Sequence, residues 1–108
     1  MKLKENETII INNKIYDIKS ADAEELGGVT TWGLFNEKES HILLNTKIDN
    51  HLIIESFLHE LMHAIDVNYN GCRLMYEQDE GTINSFAAGM YNFFSNNKEF
   101  LIDFIREL

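Results

Sequence analysis

The chain has 108 residues, 44% of them hydrophobic, with seven Phe, four Tyr and one Trp. That is the size of one domain and enough apolar matter for a core, which excludes a disordered chain. A net charge of −9 excludes nucleic acid as a direct partner, because phosphate contacts need a basic face.

No apolar run reaches the roughly 20 residues that span a bilayer, so no membrane partner is expected. The only cysteine, Cys72, has no partner for an internal disulfide. It reads as a small buried hydrophobe in a reducing compartment. Met1–Asn6 leads into polar sequence and not into an apolar segment, so no secretory signal is expected and the expected location is cytoplasmic.

Residues 1–7 are charged and expected to fray. Thr8–Ile11 and Lys14–Ile18 are β-rich runs on either side of Asn12-Asn13, a residue pair that tolerates positive φ and suits a hairpin turn. Ser20–Leu26 suits a short helical turn, ended by Gly27-Gly28. Val29–Phe35 reads as a strand, residues 36–40 as a charged turn, and His41–Asn45 as the returning strand. The expectation is an α+β fold with one small antiparallel sheet built from two hairpins.

A helix is expected from Asn50 to Val67. At about 100° per residue, Ile53, Ile54, Phe57, Leu58, Leu61, Met62, Ala64 and Ile65 cover most of its circumference. The remaining arc holds Leu52, Glu55, Ser56, His59, His63 and Asp66. Asp49 or Asn50 is expected to cap it. His51 lies off the polar strip and reads as a surface residue, as does His41. Beyond the loop 68–71, with Gly71 as stop signal, helices are expected over Asp79–Asn96 and Lys98–Arg106. On the last, Phe100, Leu101, Phe104, Ile105 and Leu108 are spaced for core packing.

The polar strip carries both histidines of the motif His59-Glu60-Leu61-Met62-His63. Histidines four residues apart stand one turn apart on one helix face, where two neutral imidazoles can bind one Zn²⁺. The Glu after the first His is then placed to act as general base. Catalytic zinc usually takes a third protein ligand. Asp66, Glu77, Asp79 and Glu80 are the carboxylates in range. Asp66 stands one turn past His63 on the same helix and suits a hydrogen bond from His63 better than ligation. Glu80 begins a second helix, with Asn84, Ala87 and Tyr91 on its face, and is the expected third ligand. Ala87 and Ala88 are expected to let that helix approach closely.

His59-Glu60-x-x-His63, followed by Glu80-x-x-Ile83-Asn84-x-Phe86-Ala87, resembles the ImmA/IrrE family of zinc metallopeptidase-like domains, in particular the small zincins of phages and mobile elements. The resemblance covers about residues 55–95. It implies a minimal zincin-like domain over 1–108, with His59, His63 and Glu80 as zinc ligands and Glu60 as catalytic base. The chain departs from the family pattern at Ile83, where Ala is usual, and in Met90-Tyr91-Asn92-Phe93, where a Leu-Leu-Met-Pro-type ending is usual. The pattern is not that of metzincins, which would need Gly at position 66 and His or Asp at position 69.

The function expected is zinc-dependent endopeptidase activity on a protein or peptide, such as a repressor or other regulator. The alternative is a non-proteolytic zinc-containing protein-binding module. A donor to the developing oxyanion is sought among Tyr91, Tyr69, Tyr76, Arg73 and His41. The strand His41–Asn45 is the expected sheet edge for an extended peptide.

Overall fold

The computed structural model describes residues 1–28, 32–76 and 80–108, and within its helices every side chain except those of Met75, Glu80, Ile83, Asn84 and Ala87. Four strands come first: β1 (Thr8–Ile11), β2 (Lys14–Ser20), β3 (Gly33–Asn36) and β4 (His41–Leu44). Asn12 and Asn13 make the β1–β2 turn at φ 51° and 63°, the left-handed region that a two-residue turn of matching twist requires. Between β2 and β3, Asp22 and Glu25 cap each other reciprocally: Glu25 N–H donates to Asp22 Oδ1 (2.8 Å) and Asp22 N–H to Glu25 Oε1 (3.2 Å). Residues 29–31, part of the strand expected from Val29, lie outside the described residues.

The sheet order is β1-β2-β4-β3. β1 runs antiparallel to β2 and β3 antiparallel to β4, but β2 and β4 are parallel. The sheet is therefore mixed, which corrects the expected antiparallel one. The link from β2 to β3 is long enough to carry the chain to the far edge, so β4 returns between them. It follows that β4 is interior and the edges are β1 and β3, which also corrects His41–Asn45 as the edge.

Four α-helices follow among the described residues: α1 (Asn50–Ile65), α2 (Arg73–Tyr76), α3 (Glu80–Asn96) and α4 (Lys98–Arg106). No helix among the described residues is long and apolar enough to cross a membrane. Asp49 occupies the N-cap position of α1 without a side-chain hydrogen bond. Its carbonyl accepts from Leu52 and Ile53 N–H instead, and the Asn50 amide reaches the Glu107 carbonyl. Neither side chain caps the helix as expected. α1 gives way at Asp66 to one π-helical turn, Asp66–Asn70, closed by Gly71 at φ 57°.

The core lies between sheet and α1. Alternate strand residues, Ile9, Ile11, Tyr16, Ile18, Ile42 and Leu44, face Ile53, Phe57, Leu61, Ala64 and Ile65, with Phe93 of α3. Phe57 is flanked by Phe100 and Phe104 of α4, each 5.5 Å between ring centroids. The buried stripe of α1 includes Ser56 and Glu60 and leaves Leu58 and Met62 exposed. Ser56 is accommodated because its hydroxyl donates to the Leu52 carbonyl at 2.7 Å. On α4, Ile105 and Leu108 are exposed, so only the Phe100, Leu101 and Phe104 part of the expected stripe packs.

One edge of the sheet is closed by a side chain. Ile10 lies between hydrogen-bonded pairs of the β1–β2 ladder, so its N–H and C=O point outward. The N–H donates to Asn97 Oδ1 and the C=O accepts from Asn97 Nδ2, both at 2.7 Å. Asn97 Nδ2 also reaches the Phe93 carbonyl, tying the end of α3 to this edge.

Candidate metal centre

α1 brings His59 and His63 together one turn apart. Their Nε2 atoms are 3.1 Å from each other, with ring planes at 75°. Two imidazole lone pairs cannot face each other at that distance without a proton or cation between them. Two Zn–N bonds of 2.0–2.1 Å in a tetrahedral shell put the nitrogens about 3.3 Å apart. The separation thus fits a shared metal ion. His59 is exposed and His63 half-buried, so the pair is open to solvent. Among the described residues, His59, Glu60 and His63 form a group whose ligand atoms all lie within 4.8 Å of one another.

Glu60 points to a different side of α1 and is only 9% exposed. It lies against the edge strand β3. A Cβ placed on Gly33 would stand 3.1 Å from Glu60 Cγ and 3.3 Å from Glu60 Oε2. The carboxylate therefore lies beside both the histidine pair and the edge strand β3. In the β3–β4 ladder, Asn45 N–H donates to the Trp32 carbonyl. By the alternation of antiparallel pairing, the outward groups of β3 are those of Gly33 and Phe35.

Asp66 has a different task from the one expected. It is 2% exposed, and its Oδ1 accepts from Leu74 N–H at 2.8 Å. Its carbonyl accepts from Cys72 N–H at 3.2 Å. The hydrogen bond of His63 runs to His59, and none from His63 to Asp66 occurs among the described residues. An acid at the end of a helix meets the free N–H groups of the next turn, so Asp66 shapes the bend into α2. Arg73 completes that bend, donating to the Asn70 carbonyl and to Ser85 Oγ of α3.

Glu80 is the first residue of α3, close to the expected start. Its side chain lies outside the described residues, as do Glu77 and Asp79 altogether, so the third-ligand reading has no geometry here. Of the oxyanion donors considered, Arg73 is engaged as above, and Tyr76 and Tyr91 are exposed. Tyr69 packs its ring on α3, and His41 lies in β4, opposite Asn36 and Asp17.

Two glycines escaped notice in the sequence. Gly89 marks the close approach of α3: a Cβ there would come within 2.7 Å of Ile65 Cγ2 and Tyr69 Cδ2, while the Ala87 side chain lies outside the described residues. Ala88 is exposed. A glycine inside a helix costs about 1 kcal/mol relative to Ala, and that cost was the available signal. Gly33 is the second: inside the expected strand Val29–Phe35, a glycine was a signal of close approach.

Comparison with protein-family models, with curated proteins and with solved structures finds no match to this chain.

Proposed function

We propose that the protein is a zinc-dependent endopeptidase of minimal zincin-like architecture, acting on a protein such as a repressor or other regulator. The observation that carries the reading is the pair of Nε2 atoms 3.1 Å apart with the buried Glu60 carboxylate beside them at the edge strand β3. His59 and His63 would hold the zinc through Nε2, and Glu80 is proposed to complete its protein ligands. When bound, zinc would polarise the scissile carbonyl and lower the pKa of water in the site toward about 7.

The rest falls to the chain's own groups. Glu60 accepts the proton of the attacking water and delivers it to the leaving amine. Its burial against β3 keeps the carboxylate in one place and away from bulk water. An extended peptide adding to the outward N–H and C=O of Gly33 and Phe35 would pass beside Glu60. A buried acid next to the histidines favours the peptidase over a docking module, since a purely structural metal site has no use for a base there.

The test is proteolysis of candidate regulators with and without chelator. Cleavage that stops on chelation and returns with zinc supports the peptidase. A biological effect without any cleavage product, unchanged by chelator, supports the binding module instead.

A further inference from the structure

We propose that Gly33 is a positioning residue, one that keeps room at the sheet edge for the Glu60 carboxylate. Its φ is not positive, unlike Gly27, Gly28 and Gly71, so backbone conformation does not call for glycine there. Glycine also weakens a strand, so space is the remaining reason for it. An added Cβ would meet Glu60 Cγ at 3.1 Å, Glu60 Oε2 at 3.3 Å and Leu44 Cδ2 at 3.3 Å. Leu44 is fully buried, with core neighbours on every side that resist a shift. The backbone of Glu60 is fixed by α1, whose Phe57, Leu61 and Ala64 are set in the core. The long Glu60 side chain at the margin of the core is therefore what gives, and it swings away from the edge.

The packing stands without the metallopeptidase reading; only the consequence for the proton transfer rests on it. Two experiments separate them. The first is thermal unfolding of the metal-free wild type, Gly33→Ala, Glu60→Ala and the double variant. Gly33→Ala is expected to lower Tm by about 5 °C. In the Glu60→Ala background the same change is expected to be neutral or to raise Tm, because Ala suits a strand better. An equal loss in both backgrounds, or a double variant that fails to fold, makes Leu44 the obstacle and overturns the proposal.

The second experiment is the visible absorption of cobalt(II) bound in place of zinc, for wild type, Gly33→Ala and Glu60→Gln. Gly33→Ala is expected to change the band while cobalt affinity stays within about twofold, since both histidines are untouched. A wild-type band in Gly33→Ala overturns the positioning role. If the wild type takes up neither cobalt nor zinc, the metallopeptidase reading fails, and the unfolding experiment alone decides Gly33.

Discussion

At one end of the sheet, β1 gives its outward N–H and C=O at Ile10 to the amide of Asn97. At the other, the outward groups of Gly33 and Phe35 on β3 have no hydrogen-bond partner among the described residues, and Glu60 lies against that strand. The covered side carries a further clasp: Lys4, just before β1, meets Asp103 of α4 at 2.8 Å. Free edges invite pairing with other chains, and proteins usually block them. A single asparagine mimics a neighbouring strand at one edge. The other has no such cover among the described residues, and it lies next to the ionisable groups.

If β3 is the working edge, the largest effect follows from disabling its base. Glu60→Gln keeps the shape of the side chain and removes its proton-accepting ability. Hydrolysis at matched zinc occupancy is expected to fall by about 10²–10⁴-fold. Asn97→Ala, on the other edge, is expected to leave turnover per folded molecule unchanged. A comparable loss of turnover in both variants would erase the distinction between the edges.

Asn97→Ala should instead act on stability and association. It strips Ile10 of both outward partners, at a cost of about 2 kcal/mol in a denaturant titration. It also opens β1, so self-association that rises with concentration is expected in sedimentation. A variant as stable and as monomeric as the wild type would mean that the amide clamp contributes nothing.

Asp66→Ala is expected to cost about 1–3 kcal/mol, because Leu74 N–H loses a buried acceptor, yet to leave zinc affinity nearly unchanged. Glu80→Ala is expected to do the reverse. A zinc titration of both variants checks the assignment. Loss of metal from Asp66→Ala with retention in Glu80→Ala would overturn Glu80 as ligand.

The smallest effect belongs to the exposed clasp on the covered side. The Lys4 ammonium holds the Asp103 carboxyl below its ordinary 3.8, by a hydrogen bond first and by charge second. A lowered carboxylate pKa stabilises the fold above the unfolded value, and that stabilisation is lost as pH falls through the folded one. Asp103→Asn is thus expected to lower Tm by only about 1 °C at pH 7. The difference should vanish in acid below pH 3.8. A difference that grows in acid would contradict the ion pair.

What could be read in the sequence is the part set by local pattern. Ile9/Ile11 and Tyr16/Ile18 alternate as half-buried strands must, and Asn12-Asn13 makes a turn that few other residue pairs accept. The His59–His63 pairing follows from helical spacing alone. What could not be read depends on partners distant in sequence. Period-two patterning is the same for parallel and antiparallel neighbours, so the insertion of β4 beside β2 left no trace. Asp66 reads equally as a partner for His63 or for the turn after it, and only the π-helical bend decides. Asn97 meets Ile10 across 87 positions, which no local signal can announce. Leu58 and Met62 look like core on a helical wheel, but α3 leaves them uncovered.

The most direct measurement is zinc content per chain after chelator stripping, reloading and dialysis. About one zinc per wild-type chain is expected, and close to none in His59→Ala or His63→Ala, with Asn97→Ala like wild type. Wild-type protein that retains no zinc, or histidine variants that retain as much as wild type, would contradict a metal centre at the His59–His63 pair.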